Sequence, residues 1–448
     1  MDKSKKYISK IVGVILFFTI LTLCYSGLDY LLVDDTASRS RITMHDFYQM
    51  DSIDTLFLGT SHAMVSVDAS ALSELTDSSW FNLCTSTQSP QVSYYLLKES
   101  IRTHKDIKRV FFEVSISRLA VDPPNQTGTF IVTDYMESDI LRLETIMSSF
   151  GPEVYVNGFS RLRRTITPTK MPGLKKIIEI YNKKKTDKYK NYDTDSDYRG
   201  RGQWHYSGWI GNKGEIAVNI DSKTKDTFSK DNLKDEPIRY LYKIIELCKK
   251  NNIELVFCYF PYTEMCFMNS ERYEDITGVI NGIAEDADVP VLDFNLVKDE
   301  YMHYDISDYY NFDHLNSSKC GQITDFLLMY INDPDGDYFC KSIREKYPAK
   351  DYVMFAGYTR KVIDGEMRVD ISAGSYVDIP VYVKLYSMRE DSNGDYSVSK
   401  EYTPTETDAY HSAFSLPYDN YKTYYKIELY DPGSGKLLYT AYTYFGMD

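Results

Sequence analysis

The chain has 448 residues, room for two or three folded units at roughly 150 residues each. Its 51 Lys and Arg stand against 65 Asp and Glu, a formal charge of −14 that argues against nucleic acid as a general partner, and the 43% hydrophobic and 26% charged fractions exclude wholesale disorder. The 41 Tyr, beside 21 Phe and 3 Trp, suit half-wet surfaces such as sugar-facing clefts or sandwich faces, because the ring is apolar and its tip polar.

Lys3, Lys5, Lys6 and Lys10 precede an apolar run from Ile11 to Gly27. A basic flank before about 17 or more apolar residues predicts a membrane helix with its lysines in the cytoplasm and everything after residue 35 outside. No small-x-small cleavage site follows, and Leu23 stands where a lipoprotein signal wants a small residue before its cysteine, so an uncleaved anchor is expected. The seven cysteines (24, 84, 248, 258, 266, 320 and 340) form no CxxC pair, which removes zinc-ribbon and redox-motif readings and leaves reduced, buried thiols as the expectation.

Asp54–Gly59, Val110–Val114, Ile253–Phe260 and Val289–Phe294 are short apolar runs that predict buried strands. Between them, Gln91–Thr103, a stretch with Ile238, Leu241, Ile244, Ile245 and Cys248 on one face, and Tyr273–Asp286 carry helical spacing. Strands alternating with helices predict a mostly parallel sheet whose ligands bind beyond the strands' carboxyl ends. Residues 120–230 break that rhythm and are expected to form an insertion. Within it, Arg161–Lys190 holds eleven Lys or Arg against Glu179 and Asp187, a solvated helix face or a surface for anionic lipid or wall polymer. The segment Tyr198–Trp209, dense in Gly, Arg and aromatics, predicts a site-bearing loop or a twisted hairpin packing two Trp. From about 347 the pattern alternates in Val353–Phe355, Glu366–Ile371, Tyr376–Tyr386, Tyr421–Tyr430 and Leu437–Tyr444, with turns at Ser392-Asn-Gly and Asp431-Pro-Gly, predicting a separate all-β sandwich.

The chemistry concentrates at Leu56-Phe57-Leu58-Gly59-Thr60-Ser61-His62-Ala63, which puts Ser61 at a strand-to-helix turn with backbone N–H groups aimed at any anion formed there. The alternative role for Ser61 is capping that helix. A nucleophilic serine needs a histidine base. His45 and His104 lie on polar helices and His411 in the β domain, leaving His62, His205, His303 and His314. His314 is best placed, because Asn311-Phe-Asp-His-Leu-Asn opens a helix with apolar Ile323, Phe326, Leu327 and Tyr330 after the last strand. His303, Asp305, Asp308, Asp313 and His314 match no metal-ligand spacing, and no metal or other cofactor is expected.

These residues resemble the SGNH or GDSL-like hydrolase superfamily over about residues 50 to 335, particularly its membrane-anchored extracytoplasmic branch, which includes the D-alanine-transfer protein of teichoic acid synthesis and the alginate O-acetylation proteins. The resemblance implies a flavodoxin-like three-layer parallel sheet. It divides the chain into an anchor (1–35), an α/β domain (36–340) and the β-sandwich (347–448). It also implies Ser61 as nucleophile and His314 as base, the latter oriented by Asn311, Asp313 or Asp308. The second block, Phe81 to Ser89, lacks the family's glycine; the third, Val114 to Arg118 after Glu113, lacks its asparagine; and Asn311-Phe-Asp-His stands where Asp-x-x-His is usual. Oxyanion and substrate contacts are expected from Thr60, His62, Thr85, Ser86, Gln88, Ser115, Arg201 and Trp204. The implied activity is extracytoplasmic O-acyl transfer or ester hydrolysis, acetyl first among acyl groups, on a cell-surface polysaccharide or wall polymer, beside a multi-span acyl exporter. The alternatives are a catalytically inactive scaffold that binds glycan or assembles an acylation complex, and an enzyme of lipid-linked substrates.

Overall fold

The computed structural model describes residues 2–166, 171–194, 197–208, 216–220, 229–268, 273–311, 313–392, 395–418 and 423–445. The chain opens with one helix, Asp2–Leu32, whose Tyr7–Leu32 portion holds an unburied 18-residue stretch of mean hydropathy 2.3, long and apolar enough to cross a membrane.

Thr55–Leu58 (β1), Trp80–Asn82 (β2), Arg109–Glu113 (β3), Glu254–Tyr259 (β4) and Val291–Asp293 (β5) form one parallel sheet in the order β2-β1-β3-β4-β5. The pattern reading located four of these strands. It missed β2, whose apolar pair Trp80-Phe81 follows two serines and is broken by Asn82. Both faces are apolar because both are covered. On one, Phe57 stacks between Trp80 and Phe111 at 6.0 and 4.8 Å, under the helices Ser61–Ser66 and Cys320–Asn332. On the other, Leu56, Leu58, Val110, Phe112 and Phe257 meet the buried faces of Pro90–Thr103, Asp235–Lys250 and Tyr273–Glu285. The sheet runs one way from β1 to β2 and the other from β1 to β3, so the carboxyl ends of β1 and β3 border a topological switch point, where such sheets bind ligands.

The insertion is a set of short helices and small strands. Its basic run is not simply a solvated face: Lys184 is 2% exposed, donates to the Val33 carbonyl at 2.6 Å and pairs with Asp35 at 3.0 Å, while Arg161 reaches Asp35 at 2.7 Å. These contacts tie the insertion to the foot of the first helix. The aromatic segment forms a hairpin, Tyr198–Gly200 against Gln203–Trp204, turning at Arg201 and Gly202 with φ of 47° and 83°. Glycine is required at 202, where a Cβ would lie 1.8 Å from the Asn82 carbonyl. Trp204 is buried and donates its indole N–H to Thr43 at 2.9 Å; Trp209 lies outside the described residues.

The C-terminal unit is a sandwich of a four-stranded and a five-stranded sheet around Val369, Ile371, Val383, Leu385, Phe414, Ile427 and Leu429. The sandwich takes one strand from the insertion: Ala217–Asn219 pairs in parallel with Phe355–Ile363. The expected strand at Tyr376 begins only at Tyr382, past Pro380, which has no N–H for a ladder. The Asn-Gly turn after Ser392 lies outside the described residues. Phe57 is fully buried and stacks on large rings of both neighbouring strands, so Phe57→Ala is expected to cost about 3–5 kcal/mol in chemical denaturation.

Candidate active site

Ser61 and His314 are 253 residues apart in sequence and meet at the carboxyl edge of the sheet, with Ser61 Oγ 2.7 Å from His314 Nε2. Ser61 is the first residue of its helix; the cap is Thr60, whose hydroxyl accepts from the His62 N–H. The capping role therefore belongs to the neighbour, and the Ser61 hydroxyl is free to face the histidine. No acceptor within the described residues takes the Ser61 N–H, an orphan donor of the first helical turn.

The carboxylate behind His314 is Asp313. Its Oδ1 lies 2.6 Å from His314 Nδ1. The side-chain oxygen of Asn311 lies 3.0 Å from the same nitrogen but also accepts from the backbone N–H of His314 at 2.9 Å and of Asp313 at 3.2 Å, so Asn311 builds the turn that presents the pair. With two acceptors at Nδ1, the proton sits there and Nε2 is left to accept from Ser61. Asp308 is used elsewhere: it accepts from the Asp305 N–H at 2.7 Å and pairs with Lys319 at 3.0 Å.

His62 is turned inward rather than toward a substrate. It is buried, its Nδ1 is 2.8 Å from Glu113 Oε1 and its Nε2 is 3.7 Å from Asp313 Oδ2, an ion-pair distance. Burial works against its charge, but the hydrogen bonds and charges of Asp313 and Glu113 outweigh burial and hold its pKa up at about 10. Burial also opposes the charge on Asp313, which His314 and His62 nevertheless hold well below the usual carboxylate range. Glu113 is likewise held down against its burial, first by His62 and then by Thr60. At neutral pH the arrangement is an alternating line: Glu113 anionic, His62 cationic, Asp313 anionic, His314, Ser61.

The remaining expected contacts separate. The Thr85 N–H is taken by the Gly59 carbonyl at 3.1 Å, and Thr85 Oγ1 and Gln88 Oε1 lie 2.9 Å apart, with Gln88 in turn donating to Ser93; these bonds brace the loop after β2. Ser86 borders a cleft of about 630 Å3 together with Thr85, Arg39, Arg161 and Arg164. The hydroxyls of Ser115 and Ser117 lie 3.2 Å apart. Arg201 holds its hairpin to the start of β2 through the Trp80 carbonyl and Ser79, and Trp204 packs in the core under Arg39. Both support the fold, and neither is hydrogen-bonded to Ser61 or His314. What the segment does bring to the site is Tyr206, whose N–H is accepted by Ser317 at 2.9 Å and whose ring lies 5.0 Å from that of Tyr310, beside the His314 loop.

Residues that sequence reasoning did not assign are Glu113, Arg118, Tyr206 and Tyr310. Arg118 is partly buried and makes no ion pair with the described residues; burial pulls its pKa down, against the opposing charges of Asp313 and Glu113. The one available signal was an acid closing an apolar strand, at Glu113. His62, Asp313 and His314 also present ligand atoms within 4.8 Å of one another. Both His314 nitrogens are engaged, however, and His62 is protonated, which suits a proton relay better than a metal.

No family model and no curated protein matches the chain. Among solved structures, the chain is similar to a presumed acylhydrolase from Bacteroides fragilis, at 8% identity over 65% of this chain and 94% of that one, with a TM-score of 0.31. It is also similar to the psychrotrophic esterase EstA from Pseudoalteromonas sp., in a structure inhibited by monoethylphosphonate, at 10% identity over 62% of this chain and 100% of that one, with a TM-score of 0.26. Likenesses of this size leave the chemistry to be argued from the side chains.

The pKa of His62 is higher when folded than its free value of about 6.5, so its stabilising contribution is complete below that pH and is lost as pH rises through about 10. Thermal melts of the parent and of His62→Gln should accordingly differ most near pH 6 and converge toward pH 10; a gap that stays constant across that range would contradict the charged assignment.

Proposed function

We propose that this protein is a serine-dependent O-acyl transferase or esterase of the SGNH type, held at the outer face of a membrane by its first helix and acting on a cell-surface polysaccharide or wall polymer. The observation that carries the reading is the unbroken line Ser61–His314–Asp313 at 2.7 and 2.6 Å. His314 Nε2 takes the Ser61 proton as Oγ attacks the ester carbonyl, then gives that proton to the departing alcohol oxygen, leaving an acyl-serine. In the second half His314 deprotonates the acceptor hydroxyl, which attacks the acyl carbon and releases Ser61. Asp313 stabilises the imidazolium formed in each half. The Ser61 N–H and the Arg118 guanidinium supply positive character for the tetrahedral oxyanion.

A complete serine–histidine–carboxylate line weighs against the alternative of an inactive glycan-binding or assembly scaffold. For the acceptor, Tyr206 and Tyr310 favour a sugar: Tyr310 is 45% exposed, and aromatic faces beside a catalytic histidine are surfaces on which pyranose rings stack. An acyl exporter embedded in the same membrane would serve as the donor's source.

On a p-nitrophenyl ester, Asp313→Asn is expected to lower kcat on the order of 10³-fold or more and Asn311→Ala by less, while Ser61→Ala abolishes both turnover and fluorophosphonate labelling. Labelling that persists in Ser61→Ala, or an Asn311 effect exceeding that of Asp313, would overturn the assignment. With an oligosaccharide acceptor, Tyr310→Ala should raise the acceptor KM and leave small-ester hydrolysis unchanged; equal effects on both substrates would remove the stacking role.

A further inference from the structure

Beside the foot of the first helix lies an apolar surface that the catalytic reading does not use. The insertion helices Pro152–Phe159 and Leu174–Lys185 expose Val156, Phe159, Met171, Leu174, Ile178 and Tyr181, counting the residue that leads into the second helix, at 36% to 73%. Within the second helix, positions 174, 178 and 181 recur at helical spacing and so form one stripe, with exposed Met171 in the residues before it. The same helices grip the first helix. The Tyr25 and Ser160 hydroxyls lie 2.8 Å apart, the Tyr181 ring packs edge-on to Tyr30 at 6.5 Å, and the Lys184 ammonium sits 5.1 Å over the Tyr30 ring.

Helix length fixes the depth of these contacts. The apolar run Ile11–Gly27 spans about 26 Å at 1.5 Å per residue, close to the roughly 30 Å of a bilayer's hydrocarbon core. Tyr25 and Tyr30 therefore bracket the outer hydrocarbon boundary, the level at which Tyr rings and amphipathic helices settle. The charge also suits that level: of the eleven Lys and Arg in 161–190, Arg161, Arg164, Lys176, Lys183, Lys184 and Lys190 pair with carboxylates, while Lys175, on the helix carrying the stripe, makes no ion pair within the described residues and is left for a headgroup.

We propose that these two insertion helices form a collar that dips into the outer leaflet around the first helix, with Met171 and the Leu174–Tyr181 stripe among the acyl chains and Lys175 among anionic headgroups. The inference rests on the first helix spanning the membrane. Its consequence is a fixed height and orientation for the catalytic domain, which a single anchor with a flexible stalk would leave free.

The test uses the full chain with Cys24→Ala, reconstituted in phosphatidylcholine and phosphatidylglycerol vesicles, carrying a bimane label on one added cysteine and corrected for labelling of the parent background. Leu16→Cys reports on the spanning helix, Ile178→Cys and Val156→Cys on the collar, and Val398→Cys, exposed on the sandwich, on solvent. Brominated acyl chains should quench the labels at 178 and 156 nearly as strongly as at 16, with blue-shifted emission, and leave 398 unaffected. Quenching at 16 alone overturns the collar and keeps the anchor. No quenching at 16 removes both.

Discussion

The site depends on one buried carboxylate. Glu113, at the end of β3, receives the Thr60 N–H at 2.6 Å, the Thr60 hydroxyl at 2.5 Å, the Ala63 N–H at 3.3 Å and the His62 Nδ1–H at 2.8 Å, so four donors of the turn carrying Ser61 converge on two oxygens. A buried carboxylate without such partners would cost several kcal/mol, and with them it fixes the turn's shape. It also dictates Gly59, since a Cβ there would lie 2.4 Å from Glu113 Cβ. Through His62 the same carboxylate sets the charge that faces Asp313. The placement of Ser61 and that of Asp313 thus both lead back to one residue that is hydrogen-bonded to neither.

How much was legible in the sequence follows from the range of each interaction. β1, β3, β4 and β5 showed because a strand covered on both faces is a continuous apolar run, a local property. The pairing of Ser61 with His314 is non-local and became visible through the rule that parallel sheets gather their chemistry at one edge, together with the family resemblance of the two motifs. The choice between Asn311 and Asp313 was not legible. Both lie within three residues of His314, and the decision is made by a turn in which Asn311 spends its oxygen on two backbone N–H groups. Glu113 offered one local signal, an acid inside the apolar run Val110–Val114, but nothing in the run tells an acid that organises a site from one that meets solvent at a strand's edge. The aromatic segment drew attention for its composition, yet Arg201 and Trp204 build the hairpin while Tyr206, less conspicuous, borders the site.

The insertion, which broke the α/β rhythm, turns out to connect the other parts. Its basic helix clamps Val33 and Asp35 through Lys184, its hairpin rests on β2 through the Asn82 N–H, and Ala217–Asn219 completes a sheet of the sandwich. A charge run with only two acids looks like a solvated face, but buried Lys184 and half-buried Arg161 have partners, Asp35 and Asp29, that lie more than a hundred residues earlier. Long-range ion pairs of this kind leave no periodic trace.

The short link between the first helix and the catalytic domain limits where the chemistry takes place. Leu32 ends that helix and Arg39 begins the next, so six residues separate them, at most about 20 Å when extended, and Asp35 in their midst is pinned by Arg161 and Lys184. Arg39 itself donates to the Tyr206 hydroxyl at 2.5 Å, on the aromatic rim beside His314. On the proposed reading, a serine tethered this closely would meet a donor confined to the same membrane at an effective concentration set by the tether rather than by bulk solution. On the same reading, that favours a donor delivered at the membrane over a freely diffusing one, and it makes a sugar hydroxyl stacked on Tyr206 and Tyr310 a competitor to water at the acyl-serine.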